Sequence, residues 1–146
     1  MAIQGPIPID FGMVFPAGAY AAGAIEMVRD FDRSSGDRIV QQVDKHTGLP
    51  LWVVEVIDAD ESARQRTVKV KLAAQVQPVL PPPVAGSPFT AVEFDGLAVT
   101  PYVDTGRCQA KDTGRCGARQ AYSLKATGVR APSRGIGRPA EHKDAA

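Results

Sequence analysis

The residues of this chain whose types and spacing favour chemistry are cations and aromatic rings on predicted strands and loops. In the run Thr67-Val68-Lys69-Val70-Lys71-Leu72, apolar and basic residues alternate, so Lys69 and Lys71 share one face of a strand. A basic groove with aromatic stacking surfaces is how small β-barrels hold single-stranded nucleic acid. The candidate nucleic-acid-binding residues are the following basic and aromatic side chains: Trp52, Lys69, Lys71, Tyr102, Arg107, Arg115, Arg119, Tyr122 and Lys125.

Each of these residues also has an ordinary structural interpretation. Trp52 fits a position in the core, and Tyr102 with Tyr122 fits a cross-strand aromatic pair. Outward-facing lysines are commonly solvated, or they protect a sheet edge from aggregation. At the level of the sequence both interpretations stay open.

The two cysteines lie in a short repeat, Asp104-Thr105-Gly106-Arg107-Cys108 and Asp112-Thr113-Gly114-Arg115-Cys116. A zinc site needs more ligands than two thiols, and both histidines are distant in sequence, so we predict no metal. A disulfide across a hairpin tip is sterically possible, but a cytoplasmic setting would keep the thiols reduced. We interpret the repeat as a tandem duplication that lengthens a surface loop.

No arrangement of residues in the sequence predicts catalysis. There is no glycine-rich phosphate loop and no Ser/His/Asp set singled out by spacing. Asp58, Asp60 and Glu61 could gather a cation, although a solvated acidic loop is the simpler interpretation. We therefore predict a protein that is not an enzyme and has no cofactor.

Charge is distributed unevenly along the 146 residues. Residues 1–103 hold eight Lys or Arg and twelve Asp or Glu, a net charge of −4, whereas residues 104–146 hold nine and four, a net charge of +5. The basic part predicts either an acidic partner such as nucleic acid or a solvated tail. Because no secretory signal and no membrane-spanning apolar run are visible, we expect a cytoplasmic protein without a membrane partner.

Short apolar or alternating segments between turn residues predict an all-β fold. The predicted strands lie within residues 20–31, 38–43, 51–57, 67–72, 89–94, 97–103 and 120–128. Five prolines exclude residues 77–88 from a sheet, so this segment is predicted to be a semi-rigid crossover. Since closure removes exposed edges, we predict a small OB-like antiparallel barrel, with a β-sandwich as the alternative.

The predicted domain organisation has three parts. Residues 1–20 form an extended N-terminal arm anchored by Phe11 and Phe15, and residues 21–130 form the single barrel domain. Residues 131–146 are rich in Arg, Pro, Gly and charge, which predicts a disordered basic tail.

Several short motifs follow one another in a recognisable order over about residues 1–132. They are Ile3-Gln4-Gly5-Pro6-Ile7-Pro8, Phe11-Gly12, Phe15-Pro16, Val28-Arg29-Asp30-Phe31-Asp32, Asp44-Lys45, Thr47-Gly48-Leu49-Pro50-Leu51-Trp52, Val56-Ile57-Asp58-Ala59-Asp60, Val92-Glu93-Phe94-Asp95-Gly96-Leu97, Thr100-Pro101-Tyr102-Val103, Ala121-Tyr122-Ser123-Leu124 and Ala126-Thr127-Gly128. In this order the motifs resemble a known family, the plasmid replication, integration and excision activators of actinobacterial integrative plasmids. The resemblance implies a small regulator that promotes the replication, excision and integration of such a plasmid. It implies no catalytic residues. The chain departs from the pattern at 104–119, where the repeat lengthens the loop.

Two functional hypotheses follow. The first is a nucleic-acid-associated activator that binds single-stranded DNA or acts as a co-regulator, since no helix-turn-helix is visible. The second is an adaptor that docks on replication or transcription proteins without binding DNA, which the near-neutral net charge and the Pro-rich crossover favour. Salt dependence of oligonucleotide binding separates the two hypotheses.

Overall fold

This computed structural model describes residues 1–109 and 114–133. The described residues contain eleven strands and one short helical turn. The elements are β1 (Ile7–Pro8), α1 (Phe11–Val14), β2 (Ala19–Ala21), β3 (Glu26–Met27), β4 (Leu51–Asp58), β5 (Thr67–Ala73), β6 (Thr90–Asp95), β7 (Ala98–Asp104), β8 (Cys108–Gln109), β9 (Arg115–Cys116), β10 (Arg119–Ala126) and β11 (Gly128–Arg130). Nine of these strands form one curled sheet, and β8 and β9 form a separate hairpin.

The sheet curls into a half-barrel whose strand order is β1-β7-β10-β5-β4-β2-β6-β11, with β3 also paired to β4. The all-β, barrel-like prediction is confirmed. One pair differs from the predicted antiparallel arrangement, because β10 lies parallel to β5 with Leu124 opposite Val70. The sheet is therefore mixed.

The core lies on one face of the central strands β4 and β5. Alternation in β4 and β5 directs Val54, Val56, Val70 and Leu72 inward, and all four are buried. Lys69 is exposed and Lys71 is half-buried on the other face. The predicted outward face of β5 is confirmed, and the burial of the apolar set fixes the register, since a shift by one residue would expose it.

The N-terminal segment is held to the core by aromatic contacts. Phe15 is 2% exposed, and its ring centroid lies 5.3 Å from that of Phe11 and 6.5 Å from that of Phe94. The two phenylalanines predicted as anchors are thus in contact with the core. Ile7 and Pro8 then add a short edge strand beside β7, opposite Val99 and Ala98.

A long two-stranded ribbon bends across the sheet, with one half at the β11 edge and the other half next to the edge strand β1. β6 with β11 is one half of this ribbon, and β7 with β10 is the other half. At the bend the Thr127 amide donates to the Asp95 carbonyl at 2.9 Å, and Gly96 adopts φ +59°. A Cβ at Gly96 would lie 2.5 Å from Thr127 Oγ1, so only glycine fits this position without displacing its neighbour.

Two sequence-based expectations for the elements are corrected. The predicted strand at 20–31 is split into β2 and β3, because two extra residues interrupt its register along β4 between the pairs Ala21–Val56 and Glu26–Val53. The predicted strand at 38–43 is absent: the described pairing there consists of isolated bridges, and the segment has no buried apolar face. The predicted disordered tail lies outside the described residues from position 134 onward.

Candidate nucleic-acid interface

The far half of the bent ribbon extends past the rest of the sheet. β7 and β10 pair from Ala98–Lys125 to Asp104–Arg119, whereas β1 accompanies β7 only at its first two residues and β5 accompanies β10 only at its last three. Five consecutive pairs therefore have no third strand beside them among the described residues. At 3.4 Å per residue these pairs span about 17 Å. We name residues 100–104 and 119–123 the projecting ribbon.

The two tyrosines of the projecting ribbon lie on opposite faces. Tyr102 is opposite Ala121, and Tyr122 is opposite Pro101, so the rings are diagonal neighbours separated by the backbone. The interpretation of Tyr102 and Tyr122 as a cross-strand aromatic pair is therefore wrong. Directly opposed residues share a face, and these two residues are not opposed. Tyr102 is 50% exposed and Tyr122 is 63% exposed, and both are accessible to a partner.

The repeat builds the tip hairpin of this ribbon, β8 and β9. The two duplicated cysteines are directly opposite, with Cα atoms 4.3 Å apart, and form a disulfide. The expectation of reduced thiols therefore does not hold in the structure. Arg107 and Arg115, which precede the cysteines, are both exposed. Arg107 packs so closely on Gly117 that a Cβ there would lie 2.7 Å from the Arg107 carbonyl oxygen.

At the base of the tip hairpin, Arg119 and Asp104 form an ion pair across the ribbon. Arg119 Nε lies 3.3 Å from Asp104 Oδ2, and the Gly106 amide donates to Asp104 Oδ1 at 3.0 Å. The Gly106 amide and then Arg119 lower the pKa of Asp104 below its usual value. The only carboxylate described on the projecting ribbon is thus ionised and matched by a guanidinium.

The strand lysines of the sheet body have a different setting. Lys69 is directly opposite Glu55, and Lys71 lies between Val53 and Lys125 in the register. Neither lysine makes an ion pair with another described residue. The shallow cleft beside Lys69, about 250 Å³, is also lined by Glu26 and Glu55, so the local charge is acidic.

Lys125 is held by a buried carboxylate. Its Nζ lies 2.8 Å from Asp44 Oδ1, and the side chains of Lys125 and Asp44 are 22% and 6% exposed. Thr47 donates to Asp44 Oδ2 from its amide at 3.2 Å and from its hydroxyl at 2.7 Å. Burial alone raises the pKa of Asp44, but the hydrogen bonds from Lys125 and Thr47 outweigh it and leave the pKa lowered. This pair fastens the 44–48 turn onto the outer face of the sheet.

Trp52 contributes to the fold. It is half-buried against the core, and its indole Nε1 donates to the Ala74 carbonyl at 3.0 Å. A ring that is packed and hydrogen-bonded in this way offers little face for a base.

The structure therefore divides the nine candidates into two groups. One group lies on the projecting ribbon and its tip hairpin: Tyr102, Arg107, Arg115, Arg119 and Tyr122. The other lies on the sheet body: Trp52, Lys69, Lys71 and Lys125. The sequence identified these residues, but it did not predict the ribbon on which the first group lies. It also did not predict the acids next to the second group, which are Asp44 beside Lys125 and Glu55 opposite Lys69. Glu55 was detectable from the alternation of its strand, whereas Asp44 is 81 residues from its partner.

Comparisons with protein-family models, curated proteins and solved structures gave no match to this chain. Among residues 1–109 and 114–133, no helix is long and apolar enough to cross a membrane. Over the same ranges, no group of three or more His, Cys, Asp or Glu is placed to hold a metal ion.

Proposed function

We propose that this protein is a non-enzymatic regulator that associates with nucleic acid through the projecting ribbon, and that it activates the replication, integration and excision of an integrative plasmid. The observation that carries the binding part is the concentration of exposed cations and tyrosines on one ribbon that extends beyond the sheet. The plasmid role comes from the motif order described in the sequence.

Charge segregation supports contact through the ribbon and not through the sheet. Residues 1–98 and 124–133, which form the sheet body, together carry ten Lys or Arg and twelve Asp or Glu, a net charge of −2. Residues 99–123 carry four and two, a net charge of +2. An acidic body repels phosphates, whereas a basic arm attracts them.

The length of the ribbon makes this segregation effective. Along the chain, Arg107 and Arg115 are separated from the sheet body by the five free pairs of the projecting ribbon, which span about 17 Å. The Debye length is about 8 Å at physiological ionic strength. Over about two Debye lengths the negative charge of the sheet body is largely screened, so a polyanion at the tip interacts mainly with the ribbon.

An adaptor function is the second candidate, and one observation favours it. Val103 and Tyr122 are 66% and 63% exposed on the same face of the ribbon, next to Pro101. An exposed apolar strip of this kind is typical of a protein-docking surface. In this case the ribbon would bind a replication or transcription protein and no DNA.

Oligonucleotide binding followed by fluorescence anisotropy over a salt series tests the proposal. If Arg107 and Arg115 contact phosphates, log K should fall with log salt with a slope of about −2. The variant Arg107→Gln/Arg115→Gln should lower the magnitude of that slope by about 2. The matched control is Lys69→Gln/Lys71→Gln, which removes the same charge from the sheet body and should bind nearly as the wild type. Absence of binding to any oligonucleotide at low salt would refute the association and leave the adaptor function.

A plasmid assay tests the biological part of the proposal. Replication and excision of a plasmid that depends on this protein should fall with Arg107→Gln/Arg115→Gln and not with the control pair. Equal loss in both variants would contradict a role for the ribbon.

A further inference from the structure

We infer that the partner of the projecting ribbon is double-stranded DNA, which the ribbon enters at the major groove. This inference rests on the proposed function and names its substrate class. The chain has no predicted recognition helix, so a two-stranded ribbon is the element available for reading a groove.

The dimensions of the ribbon match this groove. The major groove of B-DNA is about 12 Å wide and 8.5 Å deep, and it admits a two-stranded ribbon, whereas the minor groove is about 6 Å wide. The two strands of the ribbon are about 4.8 Å apart, and its five free pairs reach about 17 Å. At about 3.4 Å per base pair this reach covers about five base pairs.

The arrangement of aromatic residues disfavours a single strand. Successive unpaired bases need a continuous stacking platform on one side of the protein. Tyr102 and Tyr122 lie on opposite faces of the ribbon, and Trp52 is packed in the sheet body with its indole N–H bonded to the Ala74 carbonyl. No two of these rings can serve one strand as a platform. The walls of a groove, by contrast, contact both faces of an inserted ribbon, so tyrosines on opposite faces can both touch the DNA.

The charges of the ribbon suit insertion between two phosphate backbones. Arg119 matches Asp104, the only carboxylate described on the projecting ribbon, so no unpaired negative charge there faces the phosphates. Arg107 and Arg115 directly precede the two paired cysteines, so the disulfide between Cys108 and Cys116 keeps these cations close together. A duplex bound at this end of the ribbon would thus meet two cations.

The first experiment compares a mixed-sequence duplex of about 20 base pairs, several times the expected footprint, with each of its single strands. We expect the duplex to bind at least tenfold more tightly than either strand. Guanine N7 methylation, which blocks the major groove, should weaken duplex binding, and a minor-groove ligand should not compete. Equal or tighter binding to single strands would overturn the inference but keep the proposed function. Binding that resists N7 methylation and is displaced by the minor-groove ligand would overturn the groove assignment. Absence of binding to both would refute the proposed function as well.

The variant Ala121→Trp separates the two binding modes by opposite effects. Ala121 lies opposite Tyr102 on one face of the ribbon, so a tryptophan there thickens the ribbon and creates a two-ring platform. Groove entry should then weaken at least fivefold, whereas single-strand binding by stacking should tighten about fivefold or more. Unchanged urea unfolding would show that the variant is folded. Tighter duplex binding by this variant would contradict groove insertion.

Discussion

The pair formed by Lys125 and Asp44 leads to the sharpest prediction about this molecule, because Lys125 is both a candidate DNA contact and the half-buried partner of a buried carboxylate. The variant Lys125→Met keeps most of the side-chain volume and removes the charge. If Lys125 serves the fold, the variant should lose stability and keep its DNA affinity under conditions where it is folded.

The magnitude follows from the surroundings of Asp44. Removing one partner of a buried ion pair costs about 3–5 kcal/mol. Lys125 is 22% exposed, and Asp44 keeps both hydrogen bonds from Thr47, so the cost should fall at the low end or just below it. We expect the free energy of unfolding to decrease by about 2–3 kcal/mol, a large part of the roughly 5–15 kcal/mol typical of a domain.

The variant Asp44→Asn removes the other charge and should cost less. Lys125 can then extend its ammonium group to water, and the oxygen of the introduced amide can still accept from Thr47, so we expect a loss of about 1 kcal/mol. The double variant should show a coupling of about 1–2 kcal/mol in a double-mutant cycle. Urea unfolding at neutral pH measures all four proteins. Additive effects, or a Lys125→Met protein within about 0.5 kcal/mol of the wild type, would refute this account of the pair.

The remaining predictions concern pH, the disulfide and the bend. Because the pKa of Asp44 is lowered in the folded protein, its contribution to stability is fully present above the pKa of the unfolded chain, about 3.9, and is lost as pH falls through the folded pKa. Acid unfolding should therefore begin at a higher pH in Lys125→Met than in the wild type. Reducing the disulfide, whose cysteines are 8 residues apart, should lower the free energy of unfolding by at most about 2–3 kcal/mol and weaken duplex binding; unchanged affinity would show that the tip hairpin is not part of the interface. Gly96→Ala should cost about 2–3 kcal/mol, since it combines a left-handed backbone with a 2.5 Å approach to Thr127 Oγ1, whereas Gly36→Ala, at φ +55° with no atom within 4 Å of its added Cβ, should cost about 1 kcal/mol in the same urea assay.

Local pattern was sufficient where one strand's alternation matched a buried face. The inward-facing residues of β5 and its outward-facing lysines were predicted from the alternation, because apolar Val70 and Leu72 are stabilised by burial and charged Lys69 is not. The segment 38–43 was misassigned because its apolar residues resemble a strand, yet Ile39 and Val43 are exposed and the segment forms only isolated bridges. Propensity cannot show whether a neighbouring strand is available.

The sequence by itself determined the strand-rich architecture, the aromatic anchors of the N-terminal segment and the positions of the basic and aromatic residues. Those properties depend on residue type and on periods of two, which are local. The tertiary structure decided which of these residues share a surface. It separated Tyr102 from Tyr122, placed Asp44 against Lys125, and extended β7 and β10 beyond the sheet. These outcomes depend on register and on partners up to 81 residues away, and no local period encodes a pairing between distant segments.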